Sequence, residues 1–160
     1  MDDLTVDPVD DATHRRLAVD LFNRSWRLLE LPDRTKAQEY DLIHVVHASC
    51  HHWRVIGSAA NSSRAENQCA RVYAALGRPE PALTHANRCL ELVRAERNAH
   101  EAWDLASALE VLARAHLAAG DRVEAGRHAT LAQTALEAVA DPDDREIVAA
   151  QLAELELNRG

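Results

Sequence analysis

Residues 44–53 read HVVHASCHHW, so four of the chain's nine histidines fall within nine positions, beside Cys50 and Trp53. His44/His47 are three apart and His47/His51 four apart. On a helix such residues share a face, and two imidazoles so placed can converge on Zn²⁺ or another divalent transition metal. Asp41, a turn earlier, could add an oxygen. Projected at about 100° per residue, Asp41, His44, His47 and His51 gather on one side; Leu42, Val45, Val46, Cys50, Trp53 and Ile56 gather on the other. The projection predicts a solvent-accessible histidine stripe, a buried Trp53, and His52 at the boundary. Glu66 lies on the apolar side of the following helix with Cys69 and Tyr73. A carboxylate there needs a partner. His52 or His85 can supply it, as a hydrogen bond fastening two helices or as an acid/base pair.

A second constellation is polar and basic. Asn61, Arg64, Asn67, Gln68 and Arg71 form one stripe, opposite Cys69, Tyr73 and Leu76. Guanidinium forks match carboxylates and phosphates, and Arg71 and Arg114 can equally pair with local acids. The chain has no HExxH, phosphate-binding glycine loop, serine elbow or Cys–His nucleophile pattern. The two constellations therefore point to binding more than to catalysis.

Both must be held by helices. Thr35/Gln38, Asn98/Glu101 and Asp121/Glu124 each place a capping side chain three residues before a Glu or Gln. Pro79 and Pro142 suit first turns, the latter capped by Asp141. Gly57, Gly77 and Gly120 suit helix ends. The expected helices are 9–31, 35–56, 58–76, 79–96, 99–119, 122–139 and 142–158, joined by short connections and therefore antiparallel. ARVYAALGRPEPALTHANRCLEL and ARAHLAAGDRVEAGRHATLAQTA align at one offset of 43 residues. Ala70 meets Ala113, Tyr73 meets His116, Gly77 meets Gly120, Ala82 meets Ala125 and Ala86 meets Ala129. The same step back from Gly77 reaches Arg34, in phase but degenerate. Such a period marks a helical repeat. It predicts all-α architecture: about seven antiparallel helices, three pairs plus a C-terminal cap carrying Leu152, Leu155 and Leu157.

The small-residue, aromatic, turn-Gly, Ala, Ala spacing of Ala70, Tyr73, Gly77, Ala82 and Ala86 resembles the tetratricopeptide repeat. The period departs from that family's usual length of about 34, and its usual Trp and closing Pro are missing. HVVHASCHHW followed by RAENQCARVYAALGRPEPALTHANRCLE is similar to a group of small bacterial proteins of this type. The resemblance implies a fold and no reaction. It also implies a concave groove, with Arg64, Asn67 and Arg71 from one unit, Ser107, Glu110 and Arg114 from the next, and Arg24 from the first. An Arg-lined groove would take a protein or peptide partner through a carboxylate or phosphate. The competing reading is a metal-binding protein or metal-dependent enzyme using His44, His47, His51 and His52, with Glu66.

Composition narrows the field. The chain has 160 residues, 47% of them hydrophobic, enough for one core. A net charge of −8 argues against a nucleic-acid partner. No apolar run approaches a membrane span. The opening MDDLTVDPVD lacks a leader pattern, and Cys50, Cys69 and Cys89 read as reduced thiols. The expectation is a cytoplasmic protein, a monomer or weak homodimer, with an acidic flexible segment at 1–8 and a single domain at 9–160.

Overall fold

In a computed structural model that describes residues 9–155, seven helices follow one another: α1 (Asp11–Leu29), α2 (Lys36–Ile56), α3 (Ala59–Ala75), α4 (Pro79–Ala95), α5 (Ala102–Ala118), α6 (Arg122–Leu136) and α7 (Pro142–Ala153). The described residues contain no strand. The acidic 1–8 segment and Leu157 lie outside the described residues. Consecutive helices pack as pairs α1/α2, α3/α4 and α5/α6, and the array is all-α and repeat-like. No described helix is long and apolar enough to cross a membrane.

The helix ends explain the boundaries. Thr35 and Ser58 each cap reciprocally with Gln38 and Asn61, while Asp10, Asp121 and Asp141 accept from first-turn amides. The start of α5 differs from expectation. Asn98 falls in a 3₁₀ turn (Arg97–Ala99), and the reciprocal cap forms between Glu101 and Asp104. His100 holds that turn, with Nδ1 2.8 Å from Glu96 O and Nε2 2.9 Å from Ser63 Oγ.

The repeat is visible in its turns. Gly77 and Gly120 adopt φ of 66° and 77°, which a Cβ would disfavour. Behind them Arg78 N–H donates to Tyr73 O and Asp121 N–H to His116 O, both at 2.9 Å. These are two Schellman closures in the same register. The first pair solves the problem without glycine. At the degenerate position, Arg34 Nη1 donates to the carbonyls of Leu28, Leu29 and Leu31, at 3.4, 2.7 and 3.1 Å. Gly57 has a different reason: a Cβ there would stand 2.4 Å from Trp53 O.

Alanines let the helices approach. Ala70, Ala82, Ala86, Ala108, Ala113, Ala115, Ala125 and Ala132 are fully buried. One core joins α3 to α6 through Cys89, Leu90, Val93, Leu109, Val111 and Leu112. A second lies under α2 and α3, around Leu42, Val46, Cys69 and Val72. A third seats α7 through Val148 against Ala106, Leu136 and Val139.

Candidate functional site

Helices α1, α3, α5 and α7 enclose a cavity of about 210 Å³. Its walls are Phe22 and Trp26 of α1, Trp103 of α5, and Ile147 and Val148 of α7. Arg64, Asn67 and Gln68 of α3 form its polar floor, with Asp104, Ser107, Asp144 and Gln151 around them. Arg64 lies over the Trp103 ring, 4.4 Å from its centroid. Four residues expected in the groove, Arg64, Asn67, Gln68 and Ser107, are therefore present there. The aromatic walls were not foreseen, because they come from helices distant in sequence.

The arginines do not present free charge. Arg64 donates through Nε and Nη2 to the two oxygens of Asp104, at 2.8 and 2.9 Å. That hydrogen-bonded pair holds Arg64 above the usual guanidinium pKa. Arg71 Nη2 donates to Glu110 Oε2 at 2.5 Å, and Arg114 donates twice to Glu110 Oε1 at 2.9 and 2.7 Å. Glu110 is fully buried and Arg71 nearly so. Burial lowers the Arg71 pKa against the opposing pull of Glu110. Arg71 and Arg114 also reach Gln151 of α7, and Arg114 reaches Glu154, so this network seats the cap helix.

The other expected groove residues, Arg24, Asn61, Arg71, Glu110 and Arg114, do not line this cavity. Arg24 makes an exposed ion pair with Asp41, 2.5 Å. Asn61 is occupied as the partner of the Ser58 cap. Gln68 donates to Ser25 Oγ at 3.0 Å, and Asn67 to Ser107 O and Oγ, both at 3.1 Å. The floor is thus hydrogen-bonded throughout, and its one arginine, Arg64, is matched by Asp104.

The histidine stripe divides. His44 and His51 are exposed, His44 against Tyr40 and His51 against His52. His47 departs from the expected open face. It is half-buried, with Nε2 2.8 Å from Tyr73 Oη and its ring 5.2 Å from that of His85. Helices α3 and α4 cover the edge of the stripe on which it lies. Burial and the neighbouring His85 push His47 below the usual histidine range. Trp53, expected buried, is partly exposed at the margin of the α2/α3 core. His52 Nδ1 lies 2.8 Å from His14 Nδ1, and burial with His14 and His51 nearby lowers its pKa.

Glu66 takes the second of its two expected partners, accepting from His85 Nδ1–H at 2.6 Å. Its other oxygen lies 4.0 Å from Cys50 Sγ. The His85 ring stacks on Tyr73, 8° from parallel. Cys69 is fully buried beside them. Its hydrogen bond with Cys50 and its burial push its thiol up, while the same bond lowers Cys50. Among the described residues, two groups bring three metal-ligating atoms within 4.8 Å of one another: His47, Cys69 and His85, and His116, Glu124 and His128. Neither contains His44, His51 or His52.

Compared with known proteins, the chain matches no family model, and no curated protein is significantly similar to it. The class is accordingly defined by the fold alone, an all-α repeat-like array.

Proposed function

We propose that the chain is a tetratricopeptide-like binding module of the bacterial cytoplasm, whose concave face takes a peptide segment. Repeat arrays bind along the concavity that their curvature creates. The observation that carries the reading is the cavity of about 210 Å³ walled by Phe22, Trp26 and Trp103. Aromatic walls above a few fixed hydrogen-bonding groups suit a large apolar side chain, with the peptide backbone held at the polar rim. The expected acidic ligand has less support, because Asp104 and Glu110 already meet the charges of Arg64, Arg71 and Arg114. The partner's chemistry thus shifts from an anion to an aromatic or branched aliphatic group.

A displayed peptide library panned against the purified protein tests this. Enriched sequences should share one large apolar residue. Trp103→Ala should weaken them at least tenfold without changing helical content, and affinity should vary little with salt. Peptides that end in acidic groups, lose affinity steeply with salt and ignore Trp103→Ala would overturn this reading and restore the anionic one.

A further inference from the structure

We propose that His47, Cys69 and His85 form a binding site for one divalent transition-metal ion, Zn²⁺ by ligand chemistry. The site lies on the face of α3 opposite the groove and does not depend on the peptide reading. Its ligands come from three consecutive helices, α2, α3 and α4. Their donor atoms already lie within 4.8 Å of one another. Tetrahedral zinc, with bonds of about 2.0–2.3 Å, needs its ligands roughly 3.3–3.7 Å apart. Closing by about 1 Å is a matter of side-chain rotation for His47 and His85, which lie at the partly open end. Two imidazoles and a thiolate match the nitrogen and sulfur preference of zinc, and leave a fourth position for water.

The surroundings are those of a ligand set. Glu66 accepts the Nδ1–H of His85 at 2.6 Å, which leaves Nε2 as the free lone pair. A carboxylate behind a histidine is the usual outer partner of a metal-bound imidazole. Cys69 enters as a thiol. Binding exchanges its proton for the metal: the S–H bond breaks, an S–Zn bond forms, and one proton passes to solvent.

The repeat itself argues that the fold does not require this polarity. One period on from Glu66 and Cys69 stand Leu109 and Leu112, both buried. The ring pair persists, as His116 stacked on His128 at 10°. The third pair thus packs the same place with leucine, while the second pair buries a carboxylate and a thiol.

Tag-free, reduced protein titrated with CoCl₂ and then ZnCl₂ provides the test. The expected result is one Co²⁺ per chain with a thiolate-to-cobalt charge-transfer band, displaced by one Zn²⁺ with release of one proton. Glu66→Gln should weaken binding about 10–100-fold. Cys69→Ala should abolish the charge-transfer band, and His44→Gln/His51→Gln should leave it intact. Cobalt that binds without the band overturns the proposal in the wild-type protein alone, whether or not the cysteine variant folds. Loss of binding in His44→Gln/His51→Gln, or no saturable binding at all, overturns it equally.

Discussion

The second and third helix pairs, α3/α4 and α5/α6, share a register and differ in what they bury. Both leading helices have 17 residues, and both end in a left-handed glycine with the same two closing hydrogen bonds. Inside, Glu66 and Cys69 correspond to Leu109 and Leu112, and Asn67 and Arg71 to Glu110 and Arg114, one period on. Backbone periodicity is therefore carried by the turns and the small alanines. The polar groups are free to differ, and each unit spends that freedom in one place: a thiol–imidazole cluster in the second, a shared carboxylate in the third.

The largest test of the contrast is Glu110→Ala. It leaves the buried Arg71 without its carboxylate, while Arg114 keeps Glu154, and should cost about 3–5 kcal/mol in urea denaturation. Asn67→Ala, at the equivalent position, should cost about 1 kcal/mol, the value of an ordinary hydrogen bond. Equal losses would break the comparison. Gly77→Ala and Gly120→Ala should each cost about 1–2 kcal/mol, from the left-handed backbone alone, since nothing lies within 4 Å of either added Cβ. Unequal values would show that the two turns are not equivalent.

Glu66→Leu combined with His85→Leu makes the second unit resemble the third. Stability should be unchanged or rise by about 1 kcal/mol, because a buried polar pair gives way to packing. A marked loss would mean that the pair serves the fold. A smaller effect follows pH. His47, His52 and His116 are held below the ordinary value of 6.5, chiefly by burial. The unfolded chain then binds protons first, so stability is full above about pH 6.5 and falls as acid carries pH down through the lowered values. Midpoints of thermal unfolding between pH 5 and 8 should show this as about level at the upper end and declining at the lower. A decline on the alkaline side would contradict it. Smallest of all, His44→Gln/His51→Gln should change stability by less than about 0.5 kcal/mol, as at ordinary surface positions.

Much of the scaffold is written locally. Caps at Thr35, Asp121 and Asp141, the prolines at 79 and 142, and the glycines at 77 and 120 act within a turn of themselves, so sequence spacing exposes them. The α5 start falls later than the spacing predicts, because Asn98 offers a cap in sequence that the 3₁₀ turn and the contact of His100 with Ser63 override. The sites are less legible. A projection tells which face of one helix is polar, yet not which neighbour meets it. Arg64 finds Asp104 and Arg71 finds Glu110 about forty residues away, across the leading helices of two units. His47 shares a stripe with His44 and His51, but only packing shows that α3 and α4 cover that edge. Trp26, Trp103 and Ile147 line one cavity from three helices far apart in sequence, which no single segment encodes.

The matched turns at Gly77 and Gly120 also set the grammar of length change in this chain. A duplication or deletion of one whole period would carry its own turn, its own alanines and its own capping residue, and would rejoin like to like. An insertion of one or two residues within α4 would rotate Ala82, Ala86 or their successors off the buried face, at about 100° per residue. The array can thus grow or shrink by modules between α1, whose end is closed by Arg34 in place of glycine, and α7, which is seated by the arginine network and by the core around Val148.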